Sequence, residues 1–117
     1  MTDLLGITPA RQAAITRLVE ALRPGMTVAL STHVNADGDG CGSQAALARI
    51  LAQRGVRAVI VNPTPWPESF RWLLGTDVED RSSMGGAALR EVDRLIVLDI
   101  SDVKRLGALA STEIGRA

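Results

Sequence analysis

At 117 residues the chain has room for one domain with a modest core. Its 46% hydrophobic and 22% charged content is that of a globular chain, and 13 basic side chains against 13 acidic ones exclude a broad field drawing it to nucleic acid or membrane. The single cysteine, Cys41, excludes an intrachain disulfide framework. Residues 1–6 lack the basic and apolar regions of a signal peptide, and no apolar run approaches the ~20 residues of a membrane span, so a soluble cytoplasmic protein is expected.

Thr8-Pro9 reads as an N-cap with proline at the first helical position, where its missing N–H costs nothing. Ile15, Leu18, Val19 and Leu22 then recur at helical spacing, and Arg23-Pro24-Gly25 ends the helix. Residues 27–32 read as a buried strand. A polar, glycine-rich loop follows, and a second helix is predicted over 44–54, with Leu47, Ile50 and Leu51 on its apolar face and Gly55 closing it. Residues 56–61 form a second strand. Pro63, Pro65 and Pro67 keep the next segment irregular, because each lacks a donor and has a fixed φ. A short helix over 68–74 turns Phe70, Leu73 and Leu74 inward, 81–86 is a loop, and 87–92 forms one or two helical turns. Residues 95–100 are the third strand, and another helix is predicted over 103–110. Strands that alternate with helices and are continuously apolar imply an α/β fold, a parallel sheet covered on both faces, with ligands gathered at the carboxyl ends of its strands.

Two of those ends carry chemistry. After the first strand comes His33-Val34-Asn35-Ala36-Asp37-Gly38-Asp39-Gly40-Cys41-Gly42-Ser43, which holds the only histidine of the chain; near the end of the third lies Asp99. A phosphate cradle is one reading of the loop, but its glycines run G-x-G-x-G instead of G-x-G-x-x-G, and Asp37 and Asp39 would face an anion. A calcium loop is a second. It places Ala46 where a bidentate glutamate is required, and its flanks read strand then helix. The third is a transition-metal site of His33, Asp37 and Asp39, joined by Asp99 from the neighbouring strand. In that reading Asp37 and Asp39 face different ions, Asp99 bridges them, and the glycines let the backbone turn tightly around the pair. Gly42-Ser43 would open the second helix and offer its N–H groups to a phosphate. Taken singly, the histidine reads as an ordinary loop residue, each Asp-Gly pair as a turn, and Asp99 as a cap. Their coincidence at two adjacent strand ends favours the metal site.

These residues resemble the DHH phosphoesterases, and within them the branch of small oligoribonucleases (nanoRNases), 3′-phosphoadenosine-5′-phosphate phosphatases and cyclic-dinucleotide phosphodiesterases. That branch has a first motif H-x-x-P-D-G-D-x-x-G-S, to be compared with residues 33–43, where Ala36 replaces the proline. Its second motif is an aspartate ending an apolar strand, then a short polar stretch and R-hydrophobic-G, as in Asp99 and Arg105-Leu106-Gly107. Asn62-Pro63 and Trp72-Leu73 are similar to its intervening segments.

The resemblance implies metal-dependent hydrolysis of a phosphoester in a short nucleotide or oligonucleotide, with no membrane partner and a homodimer as an option for the full-length protein. Two divalent ions are implied, Mn2+ foremost and Mg2+ or Co2+ as substitutes: His33 and Asp37 on the first, Asp39 on the second, Asp99 bridging both. Asp37, Asp39 and Asp99 are thereby the catalytic set, and Gly42 and Ser43 place the scissile phosphate. The third motif (Asp-His-His), the fourth-motif aspartate and the C-terminal substrate-binding domain have no counterpart in residues 1–117. The expectation is therefore the N-terminal portion of a DHH phosphoesterase domain, weakly active or inactive alone, with a non-catalytic nucleotide- or metal-binding module as the alternative.

Overall fold

A computed structural model describes residues 6–100 together with Gly107 and Leu109. Four parallel strands form its sheet, in the order β3-β2-β1-β4: β1 Thr27–Ser31, β2 Arg57–Ile60, β3 Glu79–Asp80 and β4 Arg94–Val97. Val28 of β1 lies opposite Ala58 on one side and Arg94 on the other, so β1 is flanked by both ladders and its apolar residues are shielded on all sides. Asp93 holds the start of β1 in register, its carboxylate accepting from the Thr27 N–H at 2.9 Å.

Alternation along β1 sorts its side chains to two cores. Val28 and Leu30 face α2 (Gly38–Gln53) and pack with Cys41, Ala48, Leu51, Val56 and Ile60. Ala29 faces the other way, with Val59, Val61, Ala88, Leu89, Val92 and Leu109. Burial on both faces is why these strands read as continuous apolar runs. Two 3₁₀ helices complete the covering layers, Glu68–Leu73 on the α2 side and Ser82–Glu91 on the other. Leu74 is buried and Phe70 and Leu73 pack against the α2-side core, as their spacing predicts.

Several boundaries differ from the sequence reading. Helix α1 (Pro9–Ala21) starts where predicted, with the Thr8 hydroxyl accepting from the Arg11 N–H, but it buries none of its residues. Ile15, Leu18 and Val19 stay exposed, and only Leu22, beyond the helix, enters the core. The two-residue β3 went unread because Glu79 and Asp80 are charged. It is an edge strand, where charge is tolerated, and Arg57 and Arg81 both pair with Glu79. The segment expected to be a loop over 81–86 is 3₁₀ helix from Ser82 on, broken at Gly85, whose φ of 58° and ψ of −144° suit glycine alone. Strand β4 ends at Val97, short of the predicted residue 100, and the helix expected over 103–110 lies outside the described residues apart from Gly107 and Leu109.

Candidate metal centre

Strand β1 runs out of the sheet into Thr32 and His33, both still buried. His33 Nδ1 lies 2.8 Å from the Val34 carbonyl oxygen, and a carbonyl only accepts, so Nδ1 carries the proton. The ring's other nitrogen, Nε2, faces the strand ends, and it is the one a cation could reach. Asp37 Oδ2 lies 3.8 Å from it and Asp99 Oδ2 3.5 Å. One ligand atom from each of these three residues falls within 4.8 Å of the other two, the one such group among the described residues. The imidazole is 8% exposed, whereas the carboxylates are 58% and 54% exposed. Water screens the two negative charges, so the cluster is tolerable without a cation and open to one.

The backbone that gathers them is unusual at two points. Among the described residues, Asn35 and Asp99 are the non-glycine residues with positive φ, at 53° and 60°. Short polar side chains tolerate that region best. Thr64 Oγ1 steadies the first turn by accepting from the Asn35 N–H at 2.8 Å. The second swings the Asp99 carboxylate back over His33 from two residues beyond β4.

Helix α2 begins at Gly38, six residues before its predicted start, with Asp37 as N-cap. Asp37 Oδ1 accepts from the Gly40 N–H at 2.8 Å, so one oxygen caps the helix while the other faces His33. The motif glycines therefore do not supply a tight turn: Gly38, Gly40 and Gly42 lie in the helix without positive φ. Gly40 instead permits close approach, since a Cβ there would sit 3.2 Å from Thr32 Oγ1 and 3.3 Å from its Cγ2. Gly42 and Ser43 do not open the helix either. They fall in its second turn, with Ser43 exposed, and the N-terminal N–H groups belong to residues 38–40. Asp39 sits exposed in the first turn, outside the group formed by His33, Asp37 and Asp99.

Beneath the site lies a polar layer that periodicity did not reveal. Gln44 Nε2 donates to the Leu30 carbonyl at 3.1 Å and to Asn62 Oδ1 at 2.6 Å, and Asn62 Nδ2 returns a bond to Gln44 Oε1 at 3.2 Å. Asn62 Oδ1 also accepts the Thr32 N–H at 3.2 Å, and the Asn62 N–H donates to Ser82 Oγ, which donates to Asp80. The readable signal was a glutamine at a core position of an otherwise apolar helix face. Cys41 is buried beside this layer; burial first, then the Asp37 and Asp80 carboxylates, push its thiol up to about 11, so it stays protonated at neutral pH. Gly107, from the second motif, has φ 56°, and a Cβ there would come 2.8 Å from Val34 Cγ1. That glycine lets the two motifs touch. Arg105 and Leu106 lie outside the described residues.

One imidazole nitrogen with two carboxylates suits manganese, iron or zinc better than calcium, which prefers oxygen alone. No family model matches the chain. Among solved structures it is similar to an exopolyphosphatase-related protein from Bacteroides fragilis, with a TM-score of 0.75 and 20% identity. The match covers 96% of this chain and 33% of that one, so the chain spans about a third of the neighbour's length. This likeness establishes the α/β fold.

Proposed function

We propose that this chain carries part of the metal centre of a phosphoesterase acting on short nucleotide substrates. The observation that carries the proposal is the meeting of His33 Nε2, Asp37 Oδ2 and Asp99 Oδ2 at two adjacent strand ends. The resemblance of residues 33–43 to the first DHH motif and the neighbour's description as exopolyphosphatase-related support hydrolysis of a phosphate linkage. In this reading His33, Asp37 and Asp99 hold a divalent ion, Mn2+ foremost, and Asp39 extends the set towards a second, which Asp99 shares. Divalent ions bound there would acidify a coordinated water and neutralise charge on the transferring phosphoryl group.

The chain's own residues supply position. The Val34 carbonyl fixes the His33 tautomer, the capping bond to Gly40 holds Asp37, and the left-handed turn at Asp99 aims the third donor. Ser43, exposed on the second turn of α2, is the proposed phosphate-side residue through its hydroxyl, with Gly42 beside it. Two ions with open positions for water and substrate need more donors than these four residues offer, so weak or absent turnover is expected of the 117-residue chain.

Calorimetric titration of the metal-free protein with MnCl2 tests the reading, beside assays of a dinucleotide, 3′-phosphoadenosine-5′-phosphate and a cyclic dinucleotide. Binding that disappears in Asp99→Ala is expected. Absence of binding in the parent chain overturns the reading, and binding with no hydrolysis in any longer form of the protein points to a non-catalytic module.

A further inference from the structure

Leu98 is held on both sides by consecutive residues leaving β1. Its N–H donates to the Ser31 carbonyl at 2.8 Å, and its carbonyl accepts from the Thr32 hydroxyl at 2.9 Å. The second bond falls on the peptide that leads directly into Asp99, where φ is 60°. An L-residue at such a φ is strained and persists only where its surroundings hold it. Among the described residues, the Thr32 hydroxyl is the side chain that hydrogen-bonds to that peptide. Thr32 is itself fully buried, and its N–H is tied to Asn62 Oδ1. On its other side the Thr32 side chain lies under the first turn of α2, where Gly40 lacks the Cβ that would press on it at 3.2–3.3 Å. Asp37 caps that same turn through the Gly40 N–H. One buried threonine thus touches both segments that bring a carboxylate to His33.

We infer that Thr32 is a positioning residue: its hydroxyl holds the Leu98–Asp99 peptide so that Asp99 stays left-handed and its carboxylate stays against His33 Nε2. The consequence for metal affinity rests on the metal-centre reading; the backbone consequence does not. A buried threonine serving packing alone would tolerate replacement by isosteric valine, which keeps the shape and removes the donor.

The test is Thr32→Val beside Thr32→Ser, read in two ways. In the metal-free protein, NMR scalar couplings and carbon shifts report φ at Asp99, expected positive in the parent chain and T32S and lost in T32V. Calorimetry with MnCl2 is expected to show affinity reduced roughly 10- to 100-fold in T32V, as for loss of other groups that orient metal ligands, and about threefold or less in T32S. A folded T32V with Asp99 still at positive φ and Mn2+ affinity unchanged overturns the inference. If the parent chain binds no Mn2+ while T32V still releases Asp99, the positioning role stands and the metal-centre reading falls. Thr32→Ala removes the hydroxyl without setting a methyl against the carbonyl, and is read by the same two measurements should T32V not fold.

Discussion

Asp37 does two jobs with two oxygens, and substitution separates them. Oδ1 accepts from the Gly40 N–H at 2.8 Å, satisfying one of the orphan donors that open α2; Oδ2 faces His33 Nε2 at 3.8 Å. Asparagine caps a helix about as well as aspartate, whereas alanine cannot, and loss of the cap costs roughly 1 kcal/mol within a range of 0.5–2. The charge lost in Asp37→Asn removes a favourable interaction with the helix N-terminus, about 0.3–1 kcal/mol for an exposed carboxylate. It also removes a repulsion from Asp99 that water already screens, so the two effects partly offset. Asp37→Asn is expected to lower stability by a few tenths of a kcal/mol and Asp37→Ala by about 1–2. With a urea m-value of roughly 1–3 kcal/mol/M, the alanine midpoint falls by about 0.3–2 M while the asparagine midpoint moves several-fold less. Mn2+ binding, by contrast, is expected to fail equally in both, because neither retains the anionic ligand oxygen. Urea melts of the metal-free variants and calorimetry with MnCl2 give the two numbers. Mn2+ binding by Asp37→Asn equal to the parent's, or a loss of stability equal to alanine's, would refute the division of labour between the two oxygens.

Gln44→Leu takes from Asn62 Nδ2 its acceptor in a fully buried layer, which costs roughly 1–3 kcal/mol, while the Leu30 carbonyl keeps the Val61 N–H; a urea midpoint within error of the parent would contradict it. Glu79 is held below the usual carboxylate range by hydrogen bonds from Arg81 and then Arg57. A depressed folded-state value contributes stability at neutral pH that is lost as pH falls through it, so melting temperature should drop below roughly pH 5. The drop should be shallower in Glu79→Gln, and parallel acid slopes would refute this. Cys41, fully buried and with its thiol pushed up to about 11, should alkylate at pH 8 at least roughly two orders of magnitude more slowly in the folded chain than in urea; equal rates would place the thiol in solvent.

What could be read in advance follows from which forces act locally. Strands β1, β2 and β4 and the clustering of His33, Asp37 and Asp99 were legible because burial on both sheet faces leaves unbroken apolar runs, and polar residues at the ends of such runs stand out. The start of α2 was not. Glycine is a poor helix former, and Gly38, Gly40 and Gly42 argue for a loop by propensity, yet the Asp37 cap and packing of the first turn on Thr32 and Phe70 override that preference. The role assigned to the glycines was therefore displaced. Close approach is needed at Gly40, while the tight turns fall on Asn35 and Asp99. Nor could the exposure of Ile15, Leu18 and Val19 be read from helical spacing, which reports a stripe but not whether anything covers it.

The left-handed turns at Asn35 and Asp99 bear on how the centre would respond to metal. Each is a non-glycine residue in a costly conformation, and each is held by a partner that is not a metal: Thr64 for the first, the Thr32-anchored Leu98 peptide for the second. His33 is likewise fixed by the Val34 carbonyl and Asp37 by the Gly40 N–H. Each of these residues thus has a protein hydrogen bond to place its segment, so little chain ordering should remain for an ion to drive. A site of this kind should bind without folding, unlike small zinc domains that are unfolded without metal. Saturating Mn2+ at about 100 times its dissociation constant should then stabilise the chain by roughly 2.7 kcal/mol and raise its melting temperature, reversibly with chelator. The far-UV circular dichroism should stay the same with and without the ion. A large gain in helical signal on adding Mn2+ would show that the ion, and not these hydrogen bonds, builds the turns around His33.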